Sequence, residues 1–482
     1  MDVVDIARLQ FGAVTVFHFL FVPLTIGLSA VVAAFETWWI LTRRPELLRL
    51  TRFLGTLLLI NVAVGVVTGI VQEFQFGMNW SSYSRYVGDV FGAPLALEAL
   101  LAFFLESTFL GLWIFGWGRL PRAVHAACMW VVHVGTLASA WFILAANSWM
   151  QNPVGYRIDE QSDRAVLTDF GAVMLNPVQL VTFPHVVLAS YLAAGAFLVA
   201  VGTWLFTRKR FRADRPMYLT LVRVGASVAL VAGIGVAFSG DAQGKVMTEV
   251  QPMKMAAAEG LYESRDGCAP FSVLTVGSLD GERERWSLTV PCLLSFLATG
   301  SFDGSVQGID DLRAQYRATY GADPASTAYQ TGDYVPTIPV TYWTFRLMIG
   351  LGMAAAAGSA VIVWVTRRGR VPTTRWLAPF AVALPVAAVA GSSFGWIFTE
   401  VGRQPWVVFG VMTTDHGVSP GVDVTSAAIS LGVLTAVYAV LAVVETALIV
   451  RTVRAGAPPA TDPYDQGADE PQDRGPVLTF AY

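Results

Sequence analysis

The chain has 482 residues, of which 54% are hydrophobic and only 14% charged, with a mean hydropathy of +0.54. An average soluble chain carries about 25% charged residues, so a water-soluble globular fold is excluded in favour of a polytopic membrane protein. The net charge of −3 offers no basic surface for nucleic acid, and three cysteines are too few for a disulfide framework.

Residues 1–12, MDVVDIARLQFG, carry two acids and neither a basic stretch nor a small-residue cleavage site. No removable signal peptide is expected there. Nine apolar runs follow, at 12–41, 53–76, 94–117, 124–147, 179–206, 219–239, 340–366, 376–400 and 424–450. Runs of about twenty apolar residues span a bilayer as helices, because backbone polar groups find no water there. The alternating short strands of a barrel are absent. Residues 240–339 form a long loop of mixed composition, partly helical over KMAAAEGLYES, and 455–482, rich in Pro, Gly and Asp, reads as a disordered tail. No internal repeat of the kind many transporters carry is visible.

Every second connection is basic. Arg43, Arg44, Arg49 and Arg52 follow the first run, and Arg119 and Arg122 the third. Arg208, Lys209, Arg210, Arg212 and Arg215 follow the fifth, Arg367, Arg368, Arg370 and Arg375 the seventh, and Arg451 and Arg454 begin the tail. The positive-inside rule then predicts the N-terminus outside and the C-terminus in the cytoplasm. The expected fold is an all-α polytopic membrane protein with nine transmembrane helices: helices one to six in 1–239, an outer loop in 240–339, and helices seven to nine in 340–454.

An ionisable group inside a spanning helix is costly and therefore a functional candidate. His18 lies inside the outer end of helix one, Glu98 near the outer end of helix three, His185 near that of helix five, Met348 near that of helix seven, and Glu400 ends helix eight. Glu106 lies eight residues deeper than Glu98, about 12 Å at 1.5 Å per residue. His18, His185, Met348 and Glu400 thus share one level as candidate metal ligands. Singly, each has a plainer reading: a lone histidine is more often hydrogen-bonded packing, and a methionine core filler. His125 reads as interfacial, His133 is ambiguous, His416 is a solvated loop residue, and Glu73 snorkels to water. His/Met ligation suits a six-coordinate haem iron, and without a C-x-x-C-H sequence any haem is held non-covalently. From these residues alone, a proton-coupled transporter or channel without haem stays open as the alternative.

Long ordered motifs decide further. RLQFGAVTVFHFLFVPLTIGL (8–28), EFQFGMNWSSYSRYVGDVFGAPLALEALLAFFLEST (73–108), NSWMQNP (147–153), KMAAAE (254–259), FRLM (345–348) and GRQPW (402–406) resemble subunit I of the cytochrome bd family of quinol oxidases. The resemblance covers the whole helical length and implies three haems. His185 and Met348 correspond to the axial pair of a low-spin haem b. His18 and Glu400 correspond to ligands of two high-spin haems, a haem b and a haem d or further haem b. Glu98 matches the carboxylate beside the oxygen site, either as a ligand or as a proton donor, and Glu106 a proton-path residue. Lys254 and Glu259 match quinol-site residues, while Arg346 and Arg403 look like partners of haem propionates.

The implied activity is oxidation of quinol on the outer side, with O2 reduced to water by cytoplasmic protons and no pumping. A quinol-oxidising cytochrome b that reduces another acceptor is a second alternative. The resemblance also implies a bacterial cytoplasmic-membrane location, a second integral subunit, and in some members a small single-helix chain. The outer loop resembles the short-loop branch. Cys268 and Cys292 both lie in it, facing an oxidising compartment, and are expected to pair, whereas Cys128 in helix four is expected to stay reduced and buried.

Overall fold

The computed structural model describes residues 2–278, 281, 283–321, 333–370 and 374–464. Among them, nine helices are long and apolar enough to cross a membrane: Val3–Thr42, Pro45–Met78, Ser81–Phe115, Arg122–Gln151, Phe170–Thr207, Arg215–Val250, Ile338–Thr366, Leu377–Val401 and Val424–Ala455. We refer to them as the first to ninth spans. Prolines set several starts: Pro45, Pro216, Pro252 and Pro339 occupy first turns, where a missing N–H costs nothing. Asp169 and Asp423 cap other helices by accepting from Ala172 N at 3.0 Å and Ser426 N at 2.7 Å.

Several helices outrun their apolar cores. The first span starts at Val3, the third at Ser81 rather than near 94, and the sixth continues to Val250. Hydropathy reports the lipid-facing length, not the helix. Glu98 therefore sits midway along the third helix, not near its end. The first span is also broken, into Val3–His18 and Val22–Thr42. Pro23 supplies no N–H to the Phe19 carbonyl, and the Phe21 carbonyl, which takes Thr25 N at 2.9 Å, also accepts Asn61 Nδ2 of the second span at 2.9 Å. His18 is the last residue before this break.

The fifth and sixth spans pack along most of their length through buried small residues, including Ala193, Ala194 and Ala196 against Ala226 and Ala229. Small side chains let helix backbones approach where no hydrophobic force drives them together. The third and ninth spans are the least buried, exposing Leu100, Phe104, Val433 and Val440, among others.

At the arginine-rich end, His125 is not interfacial as its sequence position suggests. It is fully buried, with Nδ1 2.5 Å from Glu36 Oε1 and Nε2–H donated to the Trp113 carbonyl at 2.8 Å. Trp113 Nε1 donates to Glu36 Oε2 at 2.7 Å. With Nε2 protonated for the carbonyl, one proton remains between Nδ1 and Oε1, so the pair is neutral as a unit. It clamps the first, third and fourth spans. Glu36, absent from the expected list of buried ionisable groups, is legible only through this partner.

Residues 456–464, expected to begin a disordered tail, instead run across this same end. Tyr218 Oη accepts Ala457 N at 3.0 Å, Arg49 donates to the Ala457 carbonyl at 2.9 Å, and Arg122 pairs with Asp462 at 2.9 Å. Residues 465–482 lie outside the described residues. At the opposite end, residues 251–337 hold the helix Pro252–Glu259, an antiparallel hairpin Phe271–Gly277/Glu284–Val290, and the helices Leu293–Thr299 and Ile309–Tyr320. The first helix stops at Gly260, whose φ of +62° suits glycine, so the LYES continuation is not helical. Cys268 and Cys292 are joined as a disulfide at the hairpin's base, and Cys128 is a buried free thiol.

Candidate functional site

Two cavities open side by side inside the bundle. The larger, about 400 Å³, is lined by His18, Glu73, Glu98, Glu106 and Glu400. The smaller, about 160 Å³, is lined by His185, Met348 and Lys254. Asn147, Phe19, Val186 and Trp396 line both, so a single layer of side chains separates them. Glu73, expected to snorkel, faces the larger cavity beside the two carboxylates of the third span.

Two of the cavity histidines are held through Nδ1 by hydroxyls of neighbouring helices. Thr68 Oγ1 spends its hydrogen on the Val64 carbonyl at 3.0 Å, so toward His18 Nδ1, 2.9 Å away, it accepts. The proton is then on Nδ1 and the Nε2 lone pair is free. His185 repeats the device: Ser239 Oγ donates to the Val236 carbonyl at 3.2 Å and accepts from His185 Nδ1 at 3.0 Å. His133 differs. Its Nδ1 donates to Ser29 and its Nε2 accepts from Tyr191 Oη, both at 3.0 Å, so neither nitrogen is free. It is a satisfied packing histidine.

Two glycines lie against the candidate side chains His18 and Met348. A Cβ at Gly69 would lie 3.2 Å from His18 Cε1, and one at Gly395 2.7 Å from Met348 Sδ. A side chain at Gly395 would therefore force the thioether to shift, and one at Gly69 would press on the imidazole.

On the third span, Pro94 precedes a π-helical turn over Glu98–Ala102. Eight residues of α-helix would set Glu98 and Glu106 about 80° apart. The wider i→i+5 turn holds back the rotation, and both carboxylates reach the same cavity. Ser139 Oγ donates to Glu98 Oε1 at 2.6 Å.

Glu400 accepts from Asn147 Nδ2 at 2.9 Å on one oxygen and from Arg403 Nη2 at 2.6 Å on the other. A carboxylate offers about four lone-pair sites, so it keeps capacity toward the cavity. Arg403 is 3% exposed, and its Nη1 has no partner among the described residues.

The short helix Pro252–Glu259 sends its two candidates to different sides. Lys254, 3% exposed, donates to Gln151 Oε1 at 2.8 Å. Burial, with Arg403 adding repulsion against attraction from Glu400, pushes its ammonium down to about 7. Glu259, 4% exposed, accepts from Arg346 Nη2 at 2.6 Å and Ser272 N at 3.3 Å. Burial raises its carboxyl above the usual range, against the pull of Arg346. Arg346 Nε and Nη1 lack partners among the described residues, as does Trp396 Nε1.

These features fit haem. Free imidazole Nε2 atoms, a thioether and a half-satisfied carboxylate supply axial ligands, one or two per iron. Buried guanidinium N–H groups without partners are donors suited to propionates. Among the described residues no three His, Cys, Asp or Glu side chains converge as around a bare ion.

The profile of the family described as cytochrome bd terminal oxidase subunit I matches residues 6–457. The chain belongs to the cytochrome bd terminal oxidase subunit I family. It is 44% identical over 475 residues to cytochrome bd ubiquinol oxidase subunit 1 of Bacillus subtilis, covering 97% of this chain and 98% of that one. It is 35% identical over 502 residues to cytochrome bd-II ubiquinol oxidase subunit 1 of Escherichia coli, covering 94% and 97%. Its fold matches the bd oxidase from Geobacillus thermodenitrificans with a TM-score of 0.83 at 26% identity, over 94% of this chain and 99% of that one. The nine membrane-capable helices are those of a bacterial multi-pass membrane protein in this family.

The polar residues that contact the candidate side chains were not singled out by sequence. Thr68, Ser139 and Ser239 look like ordinary hydroxyls in apolar helices, and Asn147 and Gln151 sit in a recognised motif without an assigned role. Their signal is a partner on another helix, which no spacing along one helix reveals.

Proposed function

We propose that the chain is the haem-carrying subunit of a quinol:oxygen oxidoreductase of the respiratory chain, oxidising two quinols for each O2 reduced to two waters. The observation that carries this is the pair of abutting cavities, each presenting an imidazole with its Nε2 lone pair free. His185 and Met348 hold a low-spin haem b. His18 and Glu400 hold the irons of two high-spin haems, one a haem b and the other haem d or a further haem b. Bound there, the haems supply one-electron carriers and the iron at which O2 is reduced.

The protein's own groups handle position and protons. Lys254, as an ammonium, donates to a quinol oxygen, and Glu259 as carboxylate accepts the hydroxyl proton. Arg346 and Arg403 hold propionates with their remaining N–H groups. Glu106 and Glu98 deliver protons to the oxygen site, with Ser139 holding Glu98 in the cavity wall. The basic connections support a cytoplasmic arginine-rich end, with the N-terminus outside and the C-terminus in the cytoplasm. Quinol protons leave outside and water-forming protons enter from the cytoplasm, so charge is separated without a pump. The apolar faces of the third and ninth spans receive a second integral subunit, and a small single-helix chain is an optional third.

Purified oxidase should show reduced-minus-oxidised bands of low- and high-spin haem and consume O2 with reduced quinol. A colourless preparation would sink this reading in favour of a proton-coupled transporter. A haem protein with quinol oxidation but no O2 uptake would favour another acceptor. Haem extraction with mass analysis identifies the third haem.

A further inference from the structure

Asn147 and Gln151 stand four residues apart on the fourth span, on one face of its helix. Gln151 Oε1 accepts from Lys254 Nζ at 2.8 Å, and Gln151 Nε2 donates to Asn147 Oδ1 at 2.9 Å. Asn147 Nδ2 in turn donates to Glu400 Oε1 at 2.9 Å. This is an unbroken chain from a residue assigned to quinol to a residue assigned to iron, and Asn147 lies in the wall shared by both cavities.

The chain has one direction. An ammonium only donates, so Gln151 must turn its oxygen to Lys254 and its amide N–H to Asn147. Asn147 must then present oxygen to Gln151 and N–H to Glu400, which as a carboxylate only accepts. Flipping either amide breaks two bonds. Gln151 is 7% exposed, so water does not readily replace a lost partner. Gln251 Nε2 also pins the backbone by donating to the Gln151 carbonyl at 3.1 Å.

We propose that Asn147 and Gln151 are positioning residues that couple occupancy of the quinol site to the orientation of Glu400. This rests on the assignments of Lys254 and Glu400 made above. A quinol oxygen that draws Lys254 Nζ away leaves Gln151 Oε1 without its donor. The amide is then free to turn, Asn147 loses the N–H that orients it, and Glu400 is left with Arg403 as its donor. Donors to a ligating carboxylate set its basicity toward the metal. Reduced quinol outside therefore changes the affinity of the high-spin iron for a diatomic ligand.

The test uses the purified oxidase with its partner subunit, reduced by dithionite, and measures CO affinity with and without saturating short-chain quinol. The expected coupling is about 5-fold or more, and CO must change quinol affinity by the same factor. Gln151→Leu should bring the coupling to near unity at unchanged haem content. So should Gln151→Glu, which keeps an oxygen for Lys254 but offers Asn147 no N–H. Ser148→Ala, beside the bridge but outside it, should retain the full coupling. Full coupling in both Gln151 variants, or none in the parent, overturns the proposal. Lys254→Met with unchanged quinol KM, or Glu400→Gln with an unchanged high-spin spectrum, would instead overturn the underlying assignments, and the proposal with them.

Discussion

Arg346 donates to Glu259 across 2.6 Å, with both side chains nearly sealed from solvent. The sequence motifs assign them to different partners, a propionate and a quinol, yet in the fold they form one buried ion pair. Arg346 also lies over the Phe271 and Tyr342 rings, at 4.6 and 4.8 Å from their centroids.

Breaking such a pair from one side strands a buried charge, which costs about 3–5 kcal/mol, whereas replacing both ends is often near neutral. Arg346→Met and Glu259→Leu should each lower the unfolding temperature in detergent, and the double variant should recover most of the loss. A double variant as unstable as the sum of the singles would show that the two do not interact. Glu259 must be ionised to accept a proton, so its contribution appears as pH rises through its raised pKa. Arg346 opposes that rise, so Arg346→Met should move the acidic limb of quinol kcat/KM to higher pH.

Lys254 titrates at about 7 and acts as an ammonium, so its contribution is lost as pH rises through that value. Quinol kcat/KM, which reports the free enzyme, should fall on the alkaline side with that midpoint. Lys254→Arg should flatten this limb, and Lys254→Met should raise KM with the haem spectrum intact. An unchanged alkaline limb in Lys254→Arg would assign it to another group.

Cys268 and Cys292 close a loop across 24 residues. In the chain-entropy model a loop of that size restrains the unfolded state by roughly 3 kcal/mol. Alkylation of the unfolded, unreduced protein should label Cys128 alone, and reduction should add two thiols while raising quinol KM through a looser outer segment. Three labelled thiols without reductant would remove the bond from the account.

Glu36, His125 and Trp113 tie three spans at the arginine-rich end. Glu36→Gln keeps an acceptor for Trp113 Nε1 and a donor for a neutral imidazole, so it should change thermal stability little. Glu36→Leu leaves both partners unpaired in the core and should cost about 3–5 kcal/mol. Equal losses in both variants would mean that the carboxylate's charge, not its geometry, matters.

Glu106→Gln keeps the shape of the side chain but carries no transferable proton. O2 uptake should fall about 100-fold or more, while quinol KM and haem content stay as in the parent. Normal turnover would move the proton route off the third span.

The spans were legible because lipid leaves a backbone no other option than the helix, and apolar length marks each crossing. Helix ends were not, because solvent-side turns are polar: the third helix begins thirteen residues before its apolar run. The candidate residues were named from motifs, but their relations were not. His133 and His185 look alike in sequence, and only the hydroxyls facing them separate a satisfied imidazole from one with a free nitrogen.

By itself, the sequence determined the membrane class, the nine crossings, the alternation of basic connections and the family. Each depends on composition or on order along one chain. The tertiary structure alone decided which side chains share a cavity, that a π turn brings Glu98 and Glu106 to one wall, and that His125 is clamped rather than interfacial. It also decided that Lys254 reaches Glu400 through two amides. Hydrogen bonds between helices depend on height and rotation, which packing sets and a single helix does not record.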